Sequence, residues 1–307
     1  MNGPPGGSIV DVPGVRVGHA ADAVARTGCT VVVFEPPGAI CGVDVRGSAP
    51  GTRETDVLSV LSHVEVAHAI LLTGGSAFGL DAAGGVMAEL ETLGIGLAVG
   101  PWRVPIVPAA VIFDLFGRDG SVRPDRAMGA AALRAASRER PAQGRAGAGT
   151  GALVAKLAGL DRARPGGLGC ASARHGDLVV GALVVCNAIG NIYDSRTRAA
   201  VALPQGADET FDAAGALASF GTQTPSNTTL AVVATNAKLS KAEATKVAQM
   251  AHDGLARAID PIHTSRDGDT IFAASTGSLD VSLDLVGARA ADAVAEAVVR
   301  GVRAALG

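Results

Sequence analysis

Short apolar runs, each closed by glycine, proline or small polar residues, constrain this chain more than any other feature. They span 68–73, 95–99, 109–115, 178–186, 230–235 and 270–275. Each is long enough for a strand and short for a buried helix, and their unbroken apolar character predicts strands covered on both faces. Helical periodicity lies between several of them. Residues 76–93 follow a strand and a Gly-Gly turn, and 240–259 opens with Ser240 and Glu243 in the S-x-x-E capping pattern before apolar Val247, Ala251 and Leu255. Near the C-terminus, Val286, Ala290, Val294, Val298 and Val302 form one inward stripe, leaving Arg289, Asp292, Glu296 and Arg300 to solvent. This alternation predicts a layered α/β fold.

Composition narrows the function. With 26 basic against 29 acidic residues, a net charge of −3 and only 3% aromatics, nothing favours nucleic acid or an anionic membrane as partner. The 41 glycines have no fixed period, which speaks against a repeat array. The most apolar region, 94–115, is broken by Pro101, Arg103, Pro105 and Pro108, so no membrane span is expected. The opening MNGPPGGSIVDVPG lacks the basic and apolar regions of a signal peptide, and a cytoplasmic location is expected. Cys29, Cys41, Cys170 and Cys186 are too widely spaced for a disulfide scaffold or a metal site and read as small core residues.

One segment breaks the rhythm. Residues 204–227, PQGADETFDAAGALASFGTQTPSN, lead directly into the apolar strand TTLAVVA. A linker between domains is the usual meaning, but the last 80 residues hold two strands and two helices whose apolar faces need partners elsewhere. One domain with an exposed, cleavable loop is the expectation.

Several motifs compete for the chemistry. Gly147, Gly149 and Ala152 fit G-x-G-x-x-A, yet polar, proline-broken 138–145 precedes them where a dinucleotide site needs a buried strand. Ser76 sits between strand and helix like a nucleophile elbow, but Phe78 replaces the second glycine of G-x-S-x-G, and a helix N-cap is the simpler reading. His63 and His68 are five apart, the wrong spacing for two ligands on one helix face, so no metal and no cofactor is expected. Thr228 is different: a hydroxyl residue between loop and strand can attack the preceding carbonyl, and cleavage would free an α-amine whose reference pKa of ~7.7 to 8.0 suits it as a base for the same hydroxyl. Thr is also ordinary at the start of a strand.

Three further polar positions stand in apolar surroundings. Lys156, within LVAKLAG, is either a desolvated amine serving a nucleophile or a side chain that snorkels to water. Asn187 closes LVVGALVVCN and is a candidate oxyanion donor. Asp267 and Asp269, before the strand at 270–275, are either a functional carboxylate pair or a solvated turn; spacing alone favours the turn.

Taken together, SIVDVPGVRVGHA, GVDVRGSAPGTRETD, HAILLTGGSAFGLDAAGGVM, VPIVPAAVIFDL, GAGTGALVAKLAG, NTTLAVVATNA and AHDGLARAIDPIHTSRDGDTIFAASTG, in that order across most of the chain, carry a resemblance. The chain resembles the self-processing peptidases that include D-stereospecific aminopeptidases, β-peptidyl aminopeptidases and nylon-oligomer (6-aminohexanoate oligomer) hydrolases. The resemblance implies an αββα sandwich of the N-terminal-nucleophile type, cut autocatalytically between Asn227 and Thr228 into chains 1–227 and 228–307. It implies Thr228 as nucleophile, Lys156 assisting it, Asn187 beside the oxyanion, and Asp267 and Asp269 near the new amino terminus. The implied substrates are small peptides or aminoacyl amides, hydrolysed through an acyl-enzyme, and the implied assembly is a homo-oligomer, tetramers being common among such relatives. Phe113 stands where some relatives carry tyrosine, removing a phenolic hydrogen bond to substrate. The alternatives are an acyltransferase of the Thr-cleaved ornithine acetyltransferase type and an unprocessed oligomeric scaffold.

Overall fold

The computed structural model describes residues 6–116, 119–219 and 227–307. Two sheets stack face to face. The first has the order β1 (Val15–Asp22), β2 (Thr27–Phe34), β6 (Ala69–Thr73), β9 (Ala109–Val111), β4 (Thr52–Arg53). The second has the order β12 (Gly167–His175), β13 (Leu178–Asn187), β16 (Thr228–Ala237), β18 (Thr270–Leu279), β3 (Ala39–Val45), β5 (Val66–Ala67). Most neighbours are antiparallel; β16 and β18 are parallel, as are β6 and β9.

Alternation along each strand builds three apolar layers. In β2, Val32 and Phe34 point between the sheets, where they meet Leu230, Val232, Leu183 and Phe272 of the other sheet. Val31 and Val33 point the other way, onto α1 (Ala82–Thr92) and α2 (Arg126–Arg134), where Val86, Leu90 and Ala132 wait. In β16, Ala231 and Val233 face α4 (Lys241–Ala258) and α5 (Leu283–Leu306). Helices therefore cover both outer faces, giving the expected αββα sandwich, and the central strands are buried on both sides as their continuous apolar runs require.

The helices follow their sequence signals. Ser240 caps α4, with the Glu243 carboxylate accepting from the Ser240 backbone N–H at 2.8 Å. Val286, Ala290, Val294, Val298 and Val302 of α5 are all buried. Glycine lets α5 lie directly on β12: a Cβ on Gly169 would meet Ala297 O at 2.0 Å, and one on Gly301 would meet Gly169 N at 2.7 Å.

Other elements differ from expectation. The run at 95–99 is not a buried strand. It forms a hairpin of β7 (Leu97–Val99) and β8 (Trp102–Val104), and Trp102 is 66% exposed; apolar periodicity cannot say which runs find a covering layer. The run at 109–115 leaves the sheet after Val111. Before α1, residues Ser76–Asp81 make a 3-10 turn, and Ser76 is not a cap: Gly75 precedes it in the left-handed region and Ser76 itself has φ of +54°. The four cysteines are buried free thiols, pushed up to about 12 chiefly by desolvation. Between β12 and the first sheet, Gly147–Gly149 forms a buried 3-10 turn, with the Ala148 N–H donating to Thr30 Oγ1 at 3.0 Å, so its glycines pack against β2.

The remaining strands are short: β10 (Leu153–Val154) with β11 (Arg164–Pro165), and β14 (Asn191–Tyr193) between β15 (Ala200–Ala202) and β17 (Ile259–Asp260). The segment 204–227 includes a helix, α3 (Ala213–Ser219), and much of 205–218 is exposed; residues 220–226 lie outside the described residues, as do 1–5 of the amino-terminal reading. The end of the segment is not exposed. Asn227 and Thr228 are buried, because the chain enters the sheet there.

Candidate active site

Three strand ends meet at one edge of the second sheet. Because β13 runs antiparallel to β16, its last residue, Asn187, lies opposite the first residue of β16, Thr228. Because β18 runs parallel to β16, the segment entering β18 lies on the other flank, where Asn227 bridges to Asp267 and the Gly268 N–H donates to Asn227 O at 2.9 Å. Residues far apart in sequence are thus gathered around one peptide bond. The Thr228 hydroxyl is in hydrogen-bond contact with Asn227 O.

The carboxylates are not a solvated turn. Asp267 and Asp269 are both 0% exposed, since the segment preceding β18 is covered by Arg46–Ala49, whose Ala49 N–H donates to Asp267 O at 2.9 Å. Their hydrogen bonds differ. Asp269 Oδ1 accepts from the Thr229 N–H at 2.6 Å, and Oδ2 accepts from the His263 N–H at 3.1 Å and from His263 Nδ1 at 2.8 Å. Asp267 Oδ2 accepts from the Thr264 N–H at 2.7 Å and hydroxyl at 2.5 Å, while Oδ1 has no hydrogen-bond partner among the described residues. Burial, then repulsion from Asp269, raises the Asp267 carboxyl to about 6. Such a group can carry or release a proton near neutrality.

Lys156 does not snorkel. The residue is 3% exposed, and Nζ donates to Asn187 O at 2.9 Å and to Asn187 Oδ1 at 3.1 Å. Desolvation lowers its amine to about 7, with Asp267, Cys186 and Asp269 opposing the shift. The segment is fixed by its backbone, the Lys156 N–H donating to Ile189 O at 2.9 Å. Asn187 is hydrogen-bonded at both ends of its amide: Oδ1 also accepts from the Leu153 N–H at 2.9 Å, and Nδ2 donates to Phe113 O at 3.1 Å.

A cavity of about 130 Å³ opens over this cluster, lined by Thr228, Asn227, Ala49, Pro50, Gly51, Ser76, Ala77, Val111 and Phe113. Ser76 therefore belongs to the pocket wall. Its turn is held by Asp114, whose Oδ1 accepts from the Gly75 N–H at 2.8 Å and whose Oδ2 accepts from the Thr27 hydroxyl at 2.7 Å. Gly268 lies close beneath the junction: a Cβ there would meet Thr228 Oγ1 at 2.8 Å and Ala49 O at 2.7 Å. Neither Gly268, placed like a turn residue between two aspartates, nor His263, a lone histidine in a polar loop, gave a signal in the sequence; both need the fold to acquire meaning. Among the described residues, no three His, Cys, Asp or Glu side chains are grouped for a metal ion.

Two stacked sheets flanked by helices, with a hydroxyl residue leading a central strand beside buried carboxylates, define an N-terminal-nucleophile hydrolase fold. A solved likeness is the L-aminopeptidase D-Ala-esterase/amidase of Ochrobactrum anthropi, described as a new variant of that fold, with a TM-score of 0.70 and 20% identity over 99% of this chain and 88% of that one. The chain belongs to peptidase family S58, whose pattern matches residues 7–306. An uncharacterized aminopeptidase of Mycobacterium tuberculosis is 42% identical over 332 residues, covering 96% of this chain and 93% of that protein. A 6-aminohexanoate-oligomer endohydrolase of an Agromyces species is 37% identical over 285 residues, covering 88% and 75%. Membership makes this a peptidase and hydrolase, favouring neither acyl transfer nor an inert scaffold. No helix among the described residues is long and apolar enough to cross a membrane.

Proposed function

We propose that the chain cleaves itself between Asn227 and Thr228 and then works as an N-terminal-threonine amide hydrolase. The observation that carries this reading is the junction itself: the Thr228 hydroxyl lies against Asn227 O while the Gly268 N–H donates to the same oxygen. Attack of Oγ1 on the Asn227 carbonyl carbon places negative charge on an oxygen that already has a backbone donor. Lys156, neutral above about 7, takes the hydroxyl proton, and Asp267 gives a proton to the departing Thr228 nitrogen. Collapse breaks the C–N bond and leaves an ester between Asn227 and Thr228. Water then hydrolyses that ester, giving an Asn227 carboxylate and a free Thr228 amine.

Departure of residues 1–227 from the junction leaves the nucleophile under the cavity. The free amine or Lys156 then takes the hydroxyl proton and passes it to the departing amine of the substrate, Asn187 and backbone N–H groups receive the oxyanion, and water releases the acyl group from Thr228. Asp267 and Asp269 hold the new amino group in place. Every step uses the chain's own groups and water. The cavity suits a short acyl group, and the relatives' names support small peptides, aminoacyl amides and 6-aminohexanoate oligomers as the substrates to try. The test is a denaturing gel followed by a panel of α-aminoacyl, β-aminoacyl, D-aminoacyl and 6-aminohexanoyl amides. Two chains and turnover of at least one amide support the proposal; an intact chain with full activity refutes it.

A further inference from the structure

His263 is held more tightly than a loop residue needs to be. It follows β17 with φ of +57°, a left-handed conformation unusual for a residue with a side chain and found where surrounding contacts enforce it. Those contacts converge on one atom. Its backbone N–H, at 3.1 Å, and its Nδ1, at 2.8 Å, both reach Asp269 Oδ2. A carboxylate oxygen accepts, so Nδ1 is the donor of this pair; Nε2 is buried with no hydrogen-bond partner among the described residues.

Other groups packed around the ring leave this arrangement undisturbed. His252 of α4 meets it edge to face, with ring centroids 4.8 Å apart. Burial lowers His252 to about 4, so it stands neutral beside His263, and its Nε2 is 3.2 Å from Asp44 O. From β3 and the residue after it, Asp44 and Arg46 pair with each other at 2.7 Å. Arg266 and Asp267 share the loop that carries His263.

We propose that His263 is a positioning residue of the hydrolytic site: by fixing Asp269 Oδ2 with two donors it holds Oδ1 on the Thr229 N–H, and so fixes the backbone that carries Thr228. The inference rests on Thr228 being the nucleophile. It assigns the two carboxylates different tasks. Asp269, with donors on both oxygens, is the fixed one, and Asp267, with a bare Oδ1, is the one that exchanges protons.

The test compares His263→Ala, His263→Gln and His263→Asn in the full chain. Asparagine tolerates the left-handed backbone and places its amide nitrogen near the position of Nδ1, whereas glutamine places it one bond further out. For Ala and Gln, kcat should fall about 10- to 100-fold with KM nearly unchanged, and Asn should recover most of that loss. Wild-type kcat in Ala and Gln, with only a lowered Tm, would mean that His263 merely packs, and would overturn the inference. Should those variants fail to fold, ¹⁵N-histidine NMR of the wild type decides: a proton on Nδ1 supports the role and an Nδ1 without one overturns it. Failure of the underlying reading looks different, since the wild type itself would then be active without splitting.

Discussion

The Gly268 N–H donates to the carbonyl oxygen of Asn227 at 2.9 Å, so the peptide bond before Thr228 carries its own backbone donor before any cleavage occurs. Gly268 is also where a side chain cannot go, because a Cβ would lie 2.8 Å from Thr228 Oγ1. Gly268→Ala should therefore slow self-cleavage about 100-fold by displacing the hydroxyl or the donor, read from a time course of the intact chain on denaturing gels. Cleavage at the wild-type rate would mean that the junction tolerates a shift the geometry forbids.

Thr228→Ala should abolish both cleavage and hydrolysis, and Thr228→Ser should keep part of each, since a primary hydroxyl retains the nucleophile but loses the methyl that restricts its rotamers. Normal turnover by the Ala variant would move the nucleophile elsewhere, and Ser76 in the pocket wall is the next residue to examine.

Lys156 sets a pH dependence whose sign follows from its burial. Its amine is lowered from 10.5 to about 7, so it becomes a base as pH rises through about 7, and the self-cleavage rate should rise across that range and then level off. Stability follows the same proton. Between about 7 and 10.5 the unfolded chain binds a proton that the folded chain does not, so the uncleaved Thr228→Ala protein should gain stability as pH rises through this window. Adding Lys156→Met should remove that gain in a series of thermal melts. A slope unchanged by the Met substitution would assign it to another group.

Asp267 works in the opposite sense. Its carboxyl is raised from 3.8 to about 6, so the folded chain holds a proton that the unfolded chain has lost, and stability falls as pH rises between those values. Asp267→Asn should stabilise the uncleaved Thr228→Ala protein at pH 7 while lowering kcat about 100-fold in the processed enzyme. Asp269→Asn should lower kcat comparably, and the two losses should combine well short of additively because both serve one nucleophile. Chelators should change neither; a divalent-ion requirement appearing in these variants would make the segment a metal site.

The sequence was most legible where chemistry and environment disagreed. Lys156 and Asn187 interrupt apolar runs, and Thr228 stands at an abrupt change from a polar segment to an apolar strand; such residues are costly to bury without a partner, and the fold brings them together. Periodicity likewise revealed α5 through its five-residue stripe and α4 through Ser240 and Glu243. What stayed hidden depends on contacts made at long range. The exposure of Leu97–Val99 depends on which layer covers the run, and the burial of Asp267 and Asp269 depends on Arg46–Ala49 crossing above them. Spacing made that pair look like a solvated turn, which is what two aspartates flanking a glycine are when nothing covers them. α2, with the sequence RAMGAAALR, spans only nine residues, too few to establish a helical period, and it forms where Asp125 caps it and α1 packs against it.

On the proposed function, Thr228, freed at its amino group, is the residue that carries the acyl group. Intact-mass analysis of the enzyme quenched during turnover of a slowly deacylating amide tests this most directly. The expected result is fragments ending at Asn227 and beginning Thr-Thr-Leu-Ala, with the acyl adduct on residues 228–307 alone and mapped to Thr228. An adduct on the 1–227 fragment, or full activity from a chain that never splits, would contradict it.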